Sequence, residues 1–540
     1  MTQEAPAFFT LDRGTVATTA GLVAPVEGRY RLLAAARAPV GLDPDSVLED
    51  LAWRVARTDA TLAGSMEGWR SWSRLEVSTA RPPRAVLVAA SERTGALLER
   101  AFLASGWIVQ DTFFGPQSPF IALGQACLDP ALDAVIMGGR DGMEDEERTA
   151  AHQLWSRLGS LARFRDDLAV AASGPFAERP EGIPDDRLYA LPSPDDAPAT
   201  VDSSLRTAAG QLGRYLVERG QPVTTDSRTG LRAAIASLAQ VLGAGVDGLE
   251  VGVAAGSRTQ ARPAGEQAHA VFAEGGLFPQ ALLSDDAFGE ATLRWSTLGG
   301  DPSARLDSLR QVALHPWGDL EQEGQHLQLA ALRGALERLE AAWHAGPAAP
   351  LEARSAGVTV LSGGAFAALP PAASAIALLD GVRRPGAMSV LFDHAGLLAP
   401  LGALPVEADR QRLLGDLLGD VLLPLGSAIV TGAIGAPRKD GRPASLTVAS
   451  VLGEERLALE AGGLQLVDLP PGVSGRLGLD PGGGSVLGVE GRTVSMEVNG
   501  GLAGLFVDTR PIPLDLPPAG EARRSTLAAW EGMAWSGSER

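Results

Sequence analysis

The chain has 540 residues, 46 of them basic and 65 acidic, which gives a formal net charge of −19 at pH 7. A chain of this length exceeds what one hydrophobic core organises, so we expect two to four domains. An acidic surface disfavours nucleic acids and anionic membranes, because both are bound through Lys and Arg. We therefore expect neither as a partner.

Cysteine and histidine usage narrows the chemistry further. Cys127 is the only cysteine, which excludes an intramolecular disulfide and a Cys-rich metal site. The six histidines show no metal-ligand spacing, so no metal site is expected. We recognise no secretory signal, and the apolar stretches are too short to span a bilayer. We expect a cytoplasmic protein.

The first predicted strand ends in a turn suited to binding phosphate. Residues Phe8 to Thr19 read FFTLDRGTVATT. Gly14 allows close backbone approach to an anion, while the Thr15 hydroxyl and backbone N–H groups can hold its oxygens. Asp12 can hold hydrated Mg²⁺ through water. By itself the pattern also fits an ordinary polar turn, so the prediction depends on the rest of the chain.

Predicted strands and helices alternate over the first 420 or so residues, which indicates α/β layers. The strand after Phe8–Ala17 is Arg29–Ala36, and the two are predicted to pair as a hairpin. One later strand ends in Gly138 and Gly139, and the following Asp141 either contacts a ligand or caps the next helix. Further strands are predicted at 84–90, 107–113, 168–172, 248–253, 358–361 and 388–392, and helices at 45–60, 91–104, 203–219, 228–242, 307–314, 320–345 and 371–379.

The pattern of residue types along the sequence changes near Leu425. Short β-rich runs then alternate with Gly and Pro, which predicts a separate β sandwich or barrel. A terminal helix is predicted over Arg523–Trp535.

Two long segments and several shorter ones carry a family resemblance. The long ones are Phe8–Thr19 and Val360–Leu404, which begins VLSGGAFAALPP; support comes from 28–34, 131–142, 173–178, 294–295, 314–321, 469–481 and 500–510. Together they resemble the glutamate mutase L family, actin-like ATPases associated with adenosylcobalamin-dependent mutases. The resemblance covers nearly the whole chain in order.

That resemblance implies a fold and a nucleotide cleft. The fold is α/β, with two actin-like (ribonuclease H-like) lobes built on mixed sheets and a small C-terminal β domain. The implied units are lobe I at 1–180, a linker at 181–200, lobe II at 201–424, the β domain at 425–512, and a terminal helix and tail at 513–540. Phosphates are expected on the first turn and adenosine beside the glycines after Leu361. The implied nucleotide-binding residues are Asp12, Gly14, Thr15, Gly138, Gly139, Asp141, Ser362, Gly363 and Gly364.

The second phosphate loop of that fold is degenerate in this chain. The corresponding residues, Leu249 to Ala261, read LEVGVAAGSRTQA. Gly252 stands where an Asp is expected, Ala254 and Ala255 replace glycines, and Thr259 replaces a later Asp. Without these groups the loop should position metal and water poorly. Arg258 either replaces the metal's charge or fills the site, and in the first loop Thr19 stands where many relatives carry Lys.

Two functions follow as alternatives. The first is an accessory protein with a nucleotide-binding scaffold, resembling the chaperone or reactivating partner of a cobalamin-dependent mutase, with hydrolysis lost. The second is a pseudo-ATPase that serves as a structural or assembly subunit. Under either hypothesis we expect a protein partner and no catalytic residue. ATP with Mg²⁺ is the only cofactor considered. No cobalamin signature is present, so cobalamin should not bind directly.

Overall fold

The computed structural model describes residues 7–58, 64–79, 82–105, 107–114, 120–139, 144–161, 165, 167–174, 187–194, 204–217, 225–316, 321–345, 356–432, 444–459, 461–482, 485–487, 489–490 and 492–535. Within these ranges no helix is long and apolar enough to cross a membrane.

The chain begins with an antiparallel meander of β1 (Phe8–Arg13), β2 (Ala17–Val26) and β3 (Arg29–Pro39). After α1 (Pro44–Thr58) and a 3₁₀ helix (Gly64–Ser71), β4 (Ser73–Ser78) pairs parallel to β1. The predicted hairpin of the first two sequence strands is therefore wrong, because β2 lies between them. The sequence analysis did not predict β2 because it consists largely of small residues, although the strand is buried over most of its length.

A parallel α/β unit then interrupts this sheet. Its five strands have the order β6-β5-β7-β8-β9, and β5, β7 and β8 are almost fully buried, as strands covered on both faces should be. The fifth strand lies inside the stretch 181–200 that the sequence suggested as a linker, so the structure differs there. The elements are β5 (Arg84–Ala89), α2 (Glu92–Ala104), β6 (Ile108–Phe114), α3 (Phe120–Leu128), β7 (Ala134–Gly138), α4 (Asp145–Leu161), β8 (Ala169–Ser173), β9 (Leu188–Leu191) and α5 (Ser204–Val217).

The chain returns to the first sheet at β10 (Thr225–Asp226), which pairs parallel to β4 and leads into α6 (Ser227–Leu242). The completed sheet has the order β10-β4-β1-β2-β3. Lobe I thus extends past residue 201, where lobe II was expected to begin, and residues 84–217 are inserted between its fourth and fifth strands.

Lobe II repeats this topology. Its sheet begins with β11 (Gly245–Val251), β12 (Gly256–Ala261) and β13 (Gln267–Phe272), followed by β14 (Ala356–Ser362) and β15 (Gly386–Asp393). Their spatial order is β13-β12-β11-β14-β15, the same third-second-first-fourth-fifth order as lobe I, with the same parallel and antiparallel pairings. Two lobes of this topology form an actin-like fold. The helices are a 3₁₀ turn (Ala273–Gly275), α7 (Gln280–Ser284), α8 (Asp286–Leu293), α9 (Pro302–Leu314), α10 (Gln322–Ala345), α11 (Gly364–Ala367), α12 (Pro371–Gly381), α13 (Leu398–Gly402) and α14 (Glu407–Val421).

The C-terminal residues form a small β domain that shares strands with lobe II. An antiparallel sheet of order β18-β17-β20-β23 packs its apolar face against the last strands of the large sheet, which continues β15-β16-β24-β19. The expected boundary at 424/425 falls inside β16. The elements are β16 (Leu422–Val430), β17 (Ser445–Ser450), β18 (Gly453–Ala458), β19 (Leu464–Val467), β20 (Ser474–Asp480), β21 (Ser485–Val486), β22 (Val489–Glu490), β23 (Val494–Asn499), β24 (Leu505–Asp508) and α15 (Glu521–Trp535).

A buried ionic network fixes the terminal helix α15 to lobe II. Glu531 accepts hydrogen bonds from Arg333 at 2.5 Å and from His326 at 2.8 Å, both on α10. Arg333 also donates to Asp380 on α12 at 2.6 Å, and Asp380 accepts from Arg510 at 2.6 Å. Because each buried charge has an opposite partner, the network avoids the penalty of an unpaired buried ion.

The two lobes meet where α6 and α13 cross. These helices follow the fifth strand of each lobe, and their backbones touch at two glycines. A Cβ on Gly230 would lie 2.2 Å from the Ala399 carbonyl oxygen, and one on Gly402 would lie 1.8 Å from the Gly230 oxygen. Apolar side chains of both lobes, among them Phe8 and Leu398, pack around this crossing.

We expect Gly230→Ala to destabilise the protein by about 1–3 kcal/mol, because the new methyl group must push the two backbones apart. Equilibrium unfolding in urea measures this. Gly415→Ala is the matched control: Gly415 is also within a helix, but nothing lies within 4 Å of its added Cβ, so alanine should stabilise by about 0.5–1 kcal/mol through helix propensity. Equal effects at both positions would contradict a tight crossing.

Candidate functional site

A cleft of about 480 Å³ lies between the two lobes. It is bounded by the β1–β2 and β11–β12 turns, the ends of β14 and β15, the start of α6, and the N-terminal part of α10. Its volume is in the range of pockets that hold small-molecule ligands. The strands that form the walls of the cleft have their carboxyl ends at the cleft, and α/β sheets bind ligands at these ends of their strands.

The β1–β2 turn brings Asp12, Gly14 and Thr15 together on the cleft wall. The Gly14 N–H donates to the Ala17 carbonyl at 2.9 Å. A Cβ on Gly14 would lie 2.6 Å from that same oxygen, so no other residue fits this turn without a backbone shift. The turn therefore places the Gly14 backbone, which carries no side chain, beside the Thr15 side chain. This arrangement is the one expected of a phosphate loop.

Asp12 is a buried acid of the cleft with a strongly raised pKa. Its Oδ2 accepts from the Ser227 hydroxyl at 3.1 Å, but its buried Oδ1 has no hydrogen-bond partner among the described residues. Burial raises the pKa of Asp12 from 3.8 to about 7, opposed by the Ser227 bond and supported by the nearby charges of Glu250, Asp393 and Asp226. An unsatisfied buried oxygen on a residue that lines a cavity needs an explanation, and a ligand that reaches it would supply one.

Arg37 contributes a cation to the same wall. It lies directly opposite Thr19 in the β2–β3 pairing and lines the cleft. Burial lowers the pKa of its guanidinium, and Asp393 and Asp12 oppose that change. In the described part of the chain Arg37 makes no hydrogen bond or ion pair. Arg37 thus places a cation on the strand next to Thr19, and the sequence analysis did not consider this residue.

The β11–β12 turn is the stretch in which the sequence analysis expected a degenerate second phosphate loop. Gly252, which lines the cleft, donates its N–H to the Ala255 carbonyl at 3.0 Å. The same cleft wall carries Glu250, which accepts from the Ser257 hydroxyl at 2.8 Å and lies 3.3 Å from the Arg228 guanidinium. Sequence reasoning missed Glu250 because it stands two residues before the expected position.

Glu250 is the lobe II counterpart of Asp12. Each is the penultimate residue of the first strand of its lobe, and each lies opposite a hydroxyl residue of the second strand: Thr19 for Asp12 and Ser257 for Glu250. The difference lies in their partners, because Glu250 is neutralised by Arg228 while Asp12 has a free oxygen. The second loop therefore keeps a carboxylate in the cleft, but a paired one.

Arg258 and Thr259 point away from the cleft, which corrects the expectation that Arg258 fills the phosphate space or replaces the metal's charge. Its buried guanidinium binds Asp247 at 3.1 Å and also pairs with Glu340 on α10. Thr259 bonds to His269 at 2.8 Å. Both side chains serve the interior of lobe II, because β12 is buried on both faces.

The β14–α11 turn supplies Ser362, Gly363 and Gly364 to the cleft. The Ser362 hydroxyl donates to Asp393 at 3.1 Å, and Asp393 accepts from the backbone of Leu397 at 3.0 Å. Gly363 has φ +97°, and its Cβ would lie 2.5 Å from the Val251 carbonyl oxygen, whereas a Cβ on Gly364 would meet nothing within 4 Å. Gly363 is thus required by the fold itself, and Gly364 leaves space open for a ligand.

The third predicted glycine turn lies elsewhere. Gly138 ends β7 in the inserted unit, and its Cβ would lie 2.1 Å from the Leu98 side chain. Gly139 donates to the Ser173 carbonyl at 3.3 Å. Neither is among the residues that line the cleft, and Asp141 lies outside the described residues. Gly138 thus allows α2 to pack closely on the inserted sheet, and Gly139 extends the pairing of β7 with β8.

Among the described residues, no group of three or more His, Cys, Asp or Glu side chains is arranged to hold a metal ion. The orphan oxygen of Asp12 fits the role of contacting a hydrated ion through water, which needs only one carboxylate.

Comparisons with known proteins add little beyond the topology. No protein-family model and no curated protein matches the sequence. Among solved structures, nucleotide-free acetone carboxylase is similar at 11% identity and a TM-score of 0.31, covering 73% of this chain and 69% of that one. The activator of the 2-hydroxyisocaproyl-CoA dehydratase from Clostridium difficile with bound ADPNP is similar at 9% identity and 0.28, covering 75% and 95%. The type IV pilus biogenesis complex PilM-PilN follows at 15% and 0.22, covering 70% and 86%. Similarities this low carry no argument, and the fold rests on the strand order.

We expect Asp12→Asn to change how stability depends on pH. The unfolded chain ionises Asp12 near 3.8 and the folded protein only near 7, so the folded state holds the extra proton and wild-type stability falls as pH rises from about 4 to about 7. The Asn side chain is neutral at every pH, so the stability of the variant does not fall over this pH range. It should be more stable than wild type by about 1–3 kcal/mol at pH 8, allowing for partial exposure, with a smaller difference at pH 4.5.

Urea unfolding at both pH values measures the effect. Asp50→Asn, in an exposed pair with Arg54, serves as the control and should show no such trend. A difference between Asp12→Asn and wild type that stays constant with pH would contradict the raised pKa.

Proposed function

We propose that the cleft binds a nucleotide, with the phosphates on the β1–β2 turn and the base beside Gly364. The observation that carries this proposal is the presence on one wall of the orphan Oδ1 of Asp12 and of the exposed guanidinium of Arg37, which makes no hydrogen bond or ion pair in the described part of the chain. A phosphate accompanied by a hydrated Mg²⁺ offers a partner to each, because the cation attracts the carboxylate and the anion attracts the arginine. Gly14 and Thr15 add backbone and hydroxyl donors.

Within this proposal the protein binds nucleotide without efficient hydrolysis. Phosphoryl transfer depends on groups that position metal and water. Glu250 is held by Arg228 and Ser257, so its charge is neutralised inside the protein. A Cβ on Gly252 would lie 3.3 Å from Glu250 Oε1, so a carboxylate added there meets a like charge.

We further propose an accessory role toward a protein partner, with an adenosylcobalamin-dependent mutase as the partner that the sequence resemblance supports. Opening and closing of the lobes about the α6–α13 crossing supplies the means to couple nucleotide occupancy to partner binding. Size-exclusion chromatography of the protein with an adenosylcobalamin-dependent mutase from the same organism, with and without ADP, tests this role. Failure to co-elute in either state would favour the alternative, an assembly subunit of a different complex.

We expect ADP or ATP with Mg²⁺ to raise the melting temperature, since a ligand at a hundredfold excess over Kd adds about 2.7 kcal/mol to the native state. Gly364→Val should abolish this shift by filling the space beside the base, with little effect on the unliganded protein. Gly363→Val is unsuitable, because its positive φ and its contact with Val251 make any side chain destabilising.

Gly357→Val is the matched control for that experiment. Gly357 lies near the other end of β14, and nothing lies within 4 Å of its added Cβ. It should keep the full nucleotide shift. If no nucleotide raises the melting temperature of the wild type, the proposal is contradicted.

We expect ATP turnover by the wild type to be indistinguishable from background, and Glu250→Gln not to change it. A coupled ADP-release assay at saturating ATP measures this. Turnover that Asp12→Ala abolishes would show that the cleft hydrolyses ATP after all, and the protein would then be an active ATPase.

A further inference from the structure

Ser227 carries a buried hydroxyl on the cleft wall to which the proposed nucleotide site gives no role. It is the first residue of α6, directly after the capping Asp226, and it lines the cleft between the lobes. The residue is 9% exposed, and its hydroxyl donates a hydrogen bond to Asp12 Oδ2 at 3.1 Å. A serine whose proton is directed at a carboxylate has the arrangement of an activated nucleophile.

Two other serines near the cleft donate to carboxylates, but neither matches this arrangement. Ser257 bonds to the acid of β11 and is not among the described residues that line the cleft. Ser362 bonds to Asp393, which also accepts two backbone N–H groups just beyond β15. Asp12, in contrast, keeps one oxygen without a partner in the described part of the chain. Ser227 therefore combines a place on the cleft wall with an acid that other donors do not occupy.

The surroundings of Ser227 suit a phosphate group. α6 has 16 residues, and the backbone N–H groups of its first turn lie at the end of the helix that attracts anions. Arg228 and Arg37 both line the cleft. Asp12 opposes the lowering of the Arg37 pKa, so the charges of these two side chains interact. A phosphoserine at the start of α6 would thus be near backbone and arginine donors, the groups that stabilise it.

We propose that Ser227 is a site of self-phosphorylation, with ATP bound in the cleft as the phosphoryl donor. The inference rests on the proposed nucleotide binding and deepens it. Ser227 Oγ attacks the γ-phosphorus and forms an O–P bond, while the bond from the γ-phosphorus to the oxygen that bridges to the β-phosphate breaks. The hydroxyl proton passes to Asp12 Oδ2, and ADP leaves.

Self-phosphorylation requires no steady-state hydrolysis. The acceptor is part of the cleft wall, so no water has to be positioned, and a hydroxyl held beside the bound phosphates acts at a high effective concentration. Once Ser227 carries a phosphoryl group the acceptor is used up. Each chain therefore consumes one ATP and then stops, which agrees with background turnover in a steady-state assay.

Incubation of the phosphatase-treated wild type with Mg²⁺ and ATP labelled in its γ-phosphate tests this inference. We expect the incorporation of one phosphoryl group per chain, which peptide mass spectrometry should locate at Ser227. The fraction labelled per minute should not depend on protein concentration, because transfer within one chain is first order. This distinguishes self-phosphorylation from the action of a contaminating kinase.

Three variants sharpen the experiment. Ser227→Ala should lose the label. Asp12→Asn should slow its incorporation by about 10²–10⁴-fold, the contribution of a positioned general base. Ser46→Ala is the matched control, because Ser46 also donates to an aspartate, Asp43, near the start of a helix, but it is exposed and is not among the residues that line the cleft. It should keep full incorporation.

The outcomes separate this inference from the proposed function. A wild type that ADP stabilises but ATP does not label would overturn self-phosphorylation and leave nucleotide binding intact. The same conclusion would follow from a label that maps to another residue of the wild type, or from a rate that rises with protein concentration. Undiminished labelling of Asp12→Asn would overturn the role of Asp12 as proton acceptor. No label and no stabilisation by any nucleotide would overturn the proposed function together with the inference.

Discussion

The close crossing of α6 and α13 is the contact on which the site depends. Both helices follow the fifth strand of a lobe, so their contact fixes how the two sheets face each other. Backbone approaches backbone at Gly230 and Gly402 with no room for a Cβ. Larger residues there would separate the lobes and widen the cleft, since packed interiors do not deform continuously. The duplicated topology thus yields one cleft, walled by the first turn of each lobe.

The electrostatics of that cleft are asymmetric, although the lobes are alike in topology. Asp12 and Glu250 occupy equivalent positions. Asp226 and Asp393 both end a fifth strand, and each accepts a backbone N–H of the helix that follows, from Thr229 and Leu398 respectively. In lobe II the first-strand acid Glu250 is neutralised by Arg228. In lobe I, among the residues that the structure describes, one oxygen of Asp12 has no hydrogen-bond partner and the nearby Arg37 has no ion pair. Such an arrangement suits binding of an anion with its counter-ion at lobe I. In lobe II the carboxylate of Glu250 is already paired, so it is less available for catalysis.

The C-terminal segment reaches this cleft indirectly. α15 binds α10 through Glu531, and α10 carries Gln325 and Gln328 to the cleft wall. The small β domain extends the lobe II sheet through β24 and β19, so neither element is an independent attachment. A partner that contacts this end of the molecule would act on the same helix that lines the cleft.

The sequence alone determined the α/β class, the glycine turn after Asp12, the Ser362-Gly363-Gly364 turn, the β-rich C-terminal region and the final helix, because each depends on local pattern and on the backbone freedom of glycine. Only the tertiary structure decided the rest. The insertion of residues 84–217 between two strands of one sheet is a matter of long-range pairing, which hydrophobic periodicity does not record. Glu250, Arg37 and Ser227 entered the candidate site because strand register and helix placement bring them to one cavity. Arg258 left the site for the same reason, since a strand buried on both faces directs its side chains to the lobe interior and not to the ligand.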